Sequence, residues 1–390
     1  MKQNERYRLL FLTIGYSIHA YRRIKIFTDD SNFDVMVVSP HDYDFTNAIN
    51  IKLLSLTGGI LNNKIYGLIQ NLYRLIHDSV VLKKAVRQFD PQLIFLQTLL
   101  YPSYLSYLLK KAIPLVITFW NGDLLWEHKR NILDRFLKKY IVLHGLKRSA
   151  AITVNSNEAY NTCLSRKIDS NKVNLIPYPG VERSKFYKAN RRESRQALNI
   201  DSDKIILCPR GTASYLNNDV ILKSAKEVIK KYPDLTYVFT LGNCDPAALK
   251  TMKAYAQEND IEENIIWEKS VSWEEMPLYY NSADLMISIS LKDSLPNCMI
   301  EAMACGTPVL MGDIPSIRHW LTDSQNGFLV PPRDTKALTD KIIRFFNSPA
   351  LYKDKFEKYN NKLINKEFDA NINIKKIKNL VLEIAQHQMG

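Results

Sequence analysis

Two carboxylates, Asp293 and Glu301, stand eight residues apart in KDSLPNCMIEAMACGTPV (292–309), a stretch otherwise apolar and rich in small residues. Pro296 suits the start of a helix and Gly306 its end. That helix carries Glu301 on its second turn and leaves Asp293 in the loop before it, so both acids can address one ligand. Carboxylates accept hydrogen bonds from the hydroxyls of a sugar or a ribose, and the helix start between them offers backbone N–H groups to an anion such as a diphosphate. The same spacing is also met by a Glu301 that caps or pairs with a nearby lysine and an Asp293 that is an ordinary loop acid.

The elements around this stretch alternate. In the first half RLLFLTIG (8–15), DVMVVSP (34–40), QLIFLQT (92–98), IPLVITFW (113–120), AITVNS (151–156) and KVNLIPY (172–178) read as strands, with helices over 66–89, around 101–111, 126–148 and 157–166. Pro and Gly punctuate PYPGVERSKFY (177–187), which reads as a linker. The pattern then restarts with strands KIILCPRG (204–211), TYVFTLG (236–242), NIIWEKS (264–270), DLMISIS (284–290), TPVLMGD (307–313) and GFLVPP (327–332). Helices cover 218–231, a segment before NIIWEKS, WEEMPLYYNSA (273–283) and the tail after Pro349. Strand-helix alternation predicts parallel sheets covered on both faces. The fold class expected is α/β, two Rossmann-like doubly wound domains facing across a cleft, with ligand at the carboxyl ends of the strands. The domains are expected at 1–183 and 184–368, with a C-terminal helix over 369–390 packing back on the first.

At 390 residues the chain exceeds one ordinary core. Apolar content of 46% and charged content of 24% fit a globular protein and exclude disordered and fibrous classes. Its five cysteines form no C-x-x-C pair, which argues against zinc or redox chemistry and for reduced thiols. LLFLTIG near the start lacks the length and cleavage site of a signal peptide and reads as a buried strand. No apolar run approaches the roughly 20 residues that span a bilayer. Residues 1–185 hold 26 Lys+Arg against 14 Asp+Glu, or +12 of the total +13. A basic half of this kind suits a polyanion: nucleic acid, anionic lipid or a phosphorylated substrate. Nucleic acid is disfavoured, because no binding motif is present and the basic residues are spread along helices. The 126–148 segment mixes Phe136, Tyr140 and Ile141 with Lys138, Lys139 and Lys147, so it is either a surface helix on the sheet or a contact to an anionic leaflet. DYD (42–44) and DSD (201–203) match a metal-binding D-x-D but sit in turns that explain their aspartates. No metal site is expected, and neither a phosphate loop of the G-x-x-x-x-G-K-[ST] type nor H-E-x-x-H occurs.

From Ile287 to Asp334 the chain resembles the donor-binding region of retaining family-four glycosyltransferases of the GT-B type, where two acids eight residues apart precede A-M-A-x-G-x-P-V and N-G-x-L-V-P-x-x-D follows. AITVNSNEAYN with NLIPYPGVERSKFY, and CPRGTASYLNNDVILKSA, are similar to that family's passage between domains and its diphosphate loop. The likeness is strong from about 150 to 335 and weak over the first 110 residues. It implies that Glu301 holds the donor's ribose hydroxyls and Asp293 those of the transferred sugar. Arg210 would hold the diphosphate beside Gly211, Ser294, Leu295, Pro296 and Asn297 would line the sugar, and Val271 lies in the base-contacting loop. On the acceptor side it implies Gly15 after the first strand, and Trp120 and Asp123 in TFWNGD.

This sequence departs from the family pattern in three places. Asp293 replaces a glutamate, Tyr215, Asn217 and Asn218 stand where a diphosphate lysine is usual, and Trp120 stands for a histidine. The implied reaction moves a sugar from a nucleotide-diphosphate sugar to a glycan or polyprenyl-linked acceptor, without metal or other cofactor, with retained configuration, in surface polysaccharide or glycolipid synthesis. Its implied place is the cytoplasm, peripheral on the inner face of the membrane. The alternatives are a catalytically weak scaffold subunit of the same fold and a nucleotide-sugar epimerase.

Overall fold

Leu9, Leu10, Phe11 and Leu12 are four consecutive apolar residues, each with 0% of its surface exposed. Only a strand covered on both faces can bury such a run, since successive side chains point to opposite sides. In the computed structural model Leu9 and Phe11 enter one cluster with Phe27, Val35 and Phe95, while Leu10 and Leu12 enter another with Met36, Leu82 and Val142. The structure describes residues 6–13, 18–41, 45–54, 65–98, 103–109, 113–118, 132–242 and 244–386.

The chain divides into two compact units, residues 1–179 with 374–390, and residues 180–373. In the first, β1 (Tyr7–Leu12), β2 (Phe33–Ser39), β3 (Ala48–Lys52), β4 (Leu93–Leu96), β5 (Leu115–Thr118), β6 (Ala151–Val154) and β7 (Val173–Leu175) form a parallel sheet in the order β3-β2-β1-β4-β5-β6-β7. In the second, β8 (Lys204–Cys208), β9 (Leu235–Thr240), β10 (Ile265–Glu268), β11 (Leu285–Ser288), β12 (Val309–Gly312) and β13 (Phe328–Val330) form a parallel sheet in the order β10-β9-β8-β11-β12-β13. Both are doubly wound. Strand order reverses between β1 and β4 and between β8 and β11, and at such a switch point the loops diverge and leave a crevice.

The last helix, Ala370–Gln386, begins in the second unit, and from Ile374 onward its residues belong to the first. Ile377, Val381 and Ala385, one helical turn apart, are fully buried, and Ile377 and Val381 pack with Phe11 and Phe95. Lys378 adds an ion pair to Asp30.

Several elements differ from the sequence expectation. β3 is an additional strand; AINIK is an edge, half exposed at Ile49, so it carries no apolar run to betray it. The expected 101–111 helix is a 3₁₀ turn over Ser103–Leu108. The Arg191–Ala197 helix lacks an apolar period because polar anchors hold it. Asn190 caps it, and Arg195 donates to the Ser282 carbonyl at 2.9 Å and to Asp284 at 2.8 Å. The Thr335–Asn347 helix, capped by Asp334 at 2.9 Å from the Ala337 N–H, is likewise an addition.

Candidate functional site

β8 and β11 lie side by side in register, Ile206 opposite Leu285 and Leu207 opposite Met286. Arg210 follows the end of β8 and Asp293 follows the end of β11, so the two residues flank the switch point of the second sheet at its carboxyl end. Their side chains meet there. Arg210 forms an ion pair with Asp293 Oδ2, and its Nη1 also donates to Ser290 Oγ at 3.2 Å. The pair is mostly enclosed, with side-chain exposures of 25% and 16%. Burial alone would lower the Arg210 pKa, but Asp293 beside it more than offsets that, and the value lies above the ordinary one. Arg210 is a fixed cation in the crevice.

The Asp293 loop is tied at both ends. Asp293 Oδ1 accepts from the Ser294 N–H at 2.8 Å, and Ser316 Oγ donates to the Asp293 carbonyl at 2.8 Å. The Asn297–Ala304 helix follows, and its N-cap, Pro296, supplies no side-chain hydrogen bond to the first turn. An uncapped helix start beside a cation is an arrangement that holds an anion. At the other end Gly306, at φ 73°, donates to the Met303 carbonyl at 3.0 Å and Thr307 donates to Ala302 at 2.9 Å. These two bonds make a left-handed helix stop. A Cβ at Gly306 would meet only the flexible Lys188 side chain, 3.2 Å away, so the cost of Gly306→Ala is the backbone's own, about 1 kcal/mol. Its melting point should fall by a few degrees, read by thermal denaturation; an unchanged melting point would contradict this account of the stop.

Glu301 is 5% exposed. Trp273 Nε1 donates to its Oε1 at 3.1 Å, and Tyr280 Oη donates to its Oε2 at 3.0 Å. These bonds fix the orientation of the Glu301 carboxyl group in the site. Trp273 is itself braced by the Phe186 ring at 5.5 Å and by Lys185 Nζ, 3.5 Å from the indole centroid. Tyr280→Phe removes a donor to a buried charge and should cost about 1.5–3 kcal/mol of stability, read as a lower denaturation midpoint. An unchanged midpoint would mean that Tyr280 does not hold Glu301.

The structure thus brings together Arg210, Asp293, Ser294 and the Asn297 helix start, with Glu301 on the next turn. Leu295 and Pro296 are buried there, and Leu295 and Val271 both pack on the core that carries the helix. Gly211 is buried, and its carbonyl accepts from Asn218 Nδ2 at 2.9 Å, while Asn217 Nδ2 donates to the Ile289 carbonyl at 2.9 Å. The two asparagines that stand near the family's lysine position brace the loops that carry Arg210 and Asp293. Tyr215 receives Lys292 Nζ at 5.7 Å from its ring centroid, which brings an ammonium, a second cation after the Arg210 guanidinium, beside this loop. Sequence reasoning missed Trp273, Tyr280, Ser290 and Lys292. A buried Trp or Tyr needs a partner for its polar end, but nothing in the spacing names Glu301 as that partner. Burial pushes the Cys298 and Cys305 thiols up to about 12, so both stay protonated in this helix. DSD (201–203) precedes β8 and lies at the opposite end of that strand from Arg210. Gly15, Trp120 and Asp123, like DYD (42–44), lie outside the described residues.

The family model for Glycosyltransferase Family 4 matches residues 19–184, and that for Glycosyl transferases group 1 matches residues 190–363. An uncharacterized glycosyltransferase of Haemophilus influenzae is 26% identical over 237 residues, which cover 59% of this chain and 61% of that protein. The chain therefore spans about three fifths of that relative's length. Among solved structures, sucrose-phosphate synthase of Thermosynechococcus elongatus superimposes with a TM-score of 0.79 at 17% identity, over 97% of this chain and 99% of that one. HepE of Anabaena, solved with UDP-glucose, gives 0.76 at 15% identity, over 96% and 99%. At such identities the likeness establishes the fold. With one family model on each half and the same two-sheet architecture in its structural neighbours, this chain belongs to the group 1 glycosyltransferases and has their GT-B fold.

Proposed function

We propose that the protein moves a sugar from a nucleoside-diphosphate sugar to a hydroxyl of a glycan or polyprenyl-linked glycan, with retained anomeric configuration and without a metal. The observation that carries this reading is the Arg210–Asp293 pair at the switch point, beside an uncapped helix start and a buried Glu301. In the transfer the bond from the sugar C1 to the diphosphate oxygen breaks, and the diphosphate departs with the electron pair. Arg210 and the first-turn N–H groups of the Asn297 helix neutralise that charge; such preorganised stabilisation is usually the largest catalytic term. The acceptor oxygen bonds to C1 on the same face, and its proton passes to the departing phosphate oxygen. Asp293 holds sugar hydroxyls and offsets positive charge developing at C1. Glu301 accepts from the ribose, and Gly211, Val271, Ser294, Leu295, Pro296 and Asn297 line the donor. Residues 1–183 take the acceptor, with Gly15, Trp120 and Asp123 on that side.

The crystallised HepE complex makes uridine donors the first to try. The basic first half suits a setting in surface polysaccharide or glycolipid synthesis, in the cytoplasm at the inner face of a membrane. Incubation with a panel of nucleotide sugars, with and without EDTA, tests the reading: release of nucleoside diphosphate from one donor, unchanged by EDTA, supports it. Product with inverted configuration, or release that needs a divalent ion, overturns those parts. A second reading, a scaffold of the same fold without turnover, is favoured by Tyr215 in the lysine region and by Asp293 in the place of the family's glutamate. It predicts nucleotide binding with no release from any donor.

A further inference from the structure

On the Ile65–Phe89 helix, Leu75, Leu82, Ala85, Val86 and Phe89 face the sheet and join its core. The opposite face carries Ile69, Leu72, Tyr73, Ile76 and Val80, each 57–64% exposed. At about 100° per residue these five fall within an arc of about 120°. Exposed Lys83, Lys84 and Arg87 continue the same stripe toward the C-terminal end. The only acid of the helix, Asp78, is fully buried on the far side. A neighbouring helix, Ile132–Arg148, packs against the same Ser103–Leu108 turn and shares the same core cluster through Val142 and Leu146. It adds Phe136 at 65% and Tyr140 at 70% exposure, with exposed Lys139 beside them. Seven large apolar side chains on one helical layer exceed the scattered exposure normal for a monomer.

We propose that this layer docks on an anionic lipid bilayer surface, with the stripe of Ile69, Leu72, Tyr73, Ile76 and Val80 entering the headgroup boundary and Lys83, Lys84 and Arg87 meeting lipid phosphates. The charge pattern selects this occupant. A helix with one apolar face and basic residues continuing it lies in a membrane interface. A second copy of the chain would bring the same cations against a stripe that holds no acid to receive them. No helix among the described residues is long and apolar enough to cross a membrane, so the contact is a surface one. It gives the membrane setting proposed above a specific element, and it stands on the exposed stripe rather than on sugar transfer.

The test is co-sedimentation of the full chain with vesicles of phosphatidylcholine alone or mixed with phosphatidylglycerol. Each basic residue near an anionic surface is worth about a fivefold gain in partitioning, so the triple change Lys83→Gln, Lys84→Gln, Arg87→Gln should lower binding to the mixed vesicles by about a hundredfold. Leu72→Ser with Ile76→Ser, at exposed positions, should lower it at least tenfold, with melting point and nucleotide binding by the second unit unchanged. Equal sedimentation with both lipids, or binding indifferent to both sets of changes, overturns the proposal. So does a concentration-dependent dimer that the Leu72→Ser, Ile76→Ser pair dissociates, which would give the face to a second copy. Nucleotide binding, read on the same variants, keeps this outcome separate from the fate of the transferase reading.

Discussion

Arg210→Ala is expected to lower the rate of the proposed sugar transfer by roughly 10²–10³-fold, because it would remove a preorganised donor aimed at the charge developing on the departing diphosphate. It also leaves Asp293 without its partner. An orphaned carboxylate in a fully buried pair costs about 3–5 kcal/mol, and with side-chain exposures of 25% and 16% water takes up part of that. A loss of about 1–3 kcal/mol is expected here. Two further variants separate the effects. Arg210→Lys keeps the charge and loses the planar fork, so stability should largely return while rate stays depressed. Asp293→Asn combined with Arg210→Ala should regain stability and remain inactive. A double variant that recovered transfer would contradict the role given to Arg210, as would an Arg210→Ala enzyme with undiminished rate. Single-turnover rates and denaturant midpoints on the four proteins decide this.

Glu301→Gln should weaken donor-nucleotide binding by roughly one to two orders of magnitude, at about 1.4 kcal/mol per tenfold. The amide preserves the shape of the site but offers one acceptor oxygen where the carboxylate offered two, and its NH₂ group faces one of two donors, Trp273 Nε1 or Tyr280 Oη. Glu301→Ala is harsher. It strips the acceptor from both donors inside a segment where Met299, Ile300 and Ala302 are 0–1% exposed. At about 1–3 kcal/mol for each orphaned group the second unit should lose several kcal/mol. Calorimetric titration with nucleoside diphosphates on the glutamine variant is therefore the cleaner reading, with circular dichroism to show that it is folded. Wild-type affinity in that variant would return Glu301 to a structural part.

The parallel sheets were legible because buried parallel strands cannot hide: DLMISIS, TPVLMGD and KIILC each hold a short apolar run, LMI, VLM and IILC, with turns between. The site helix was legible at both ends, through Pro296 and Gly306. β3 was not, because AINIK at a sheet edge is solvated on one side and shows no run. The Arg191–Ala197 helix was not, because its stability comes from Asn190 and from the Arg195–Asp284 pair, which joins residues far apart in sequence. At the site, Asp293 and Glu301 stood out as charges in an apolar stretch. Their partners did not, since Arg210 lies 83 residues from Asp293 and Trp273 lies 28 from Glu301. Only the parallel register of β8 and β11 brings the first pair together. The Ile65–Phe89 helix was legible as a helix from its apolar period, but the period alone does not say that Ile69, Leu72, Tyr73, Ile76 and Val80 face solvent.

The central claim is that the β8–β11 switch point of the second unit holds a nucleoside diphosphate on Arg210 and Glu301. Thermal shift of the full chain against UDP, GDP, ADP, CDP and TDP tests it most directly, on the wild type, Arg210→Lys and Glu301→Gln. Ligand at about 100 times its dissociation constant stabilises by about 2.7 kcal/mol. The account predicts a shift of several degrees with one nucleotide on the wild type, strongly reduced in both variants. A shift that both variants retain, or none with any nucleotide, would contradict it.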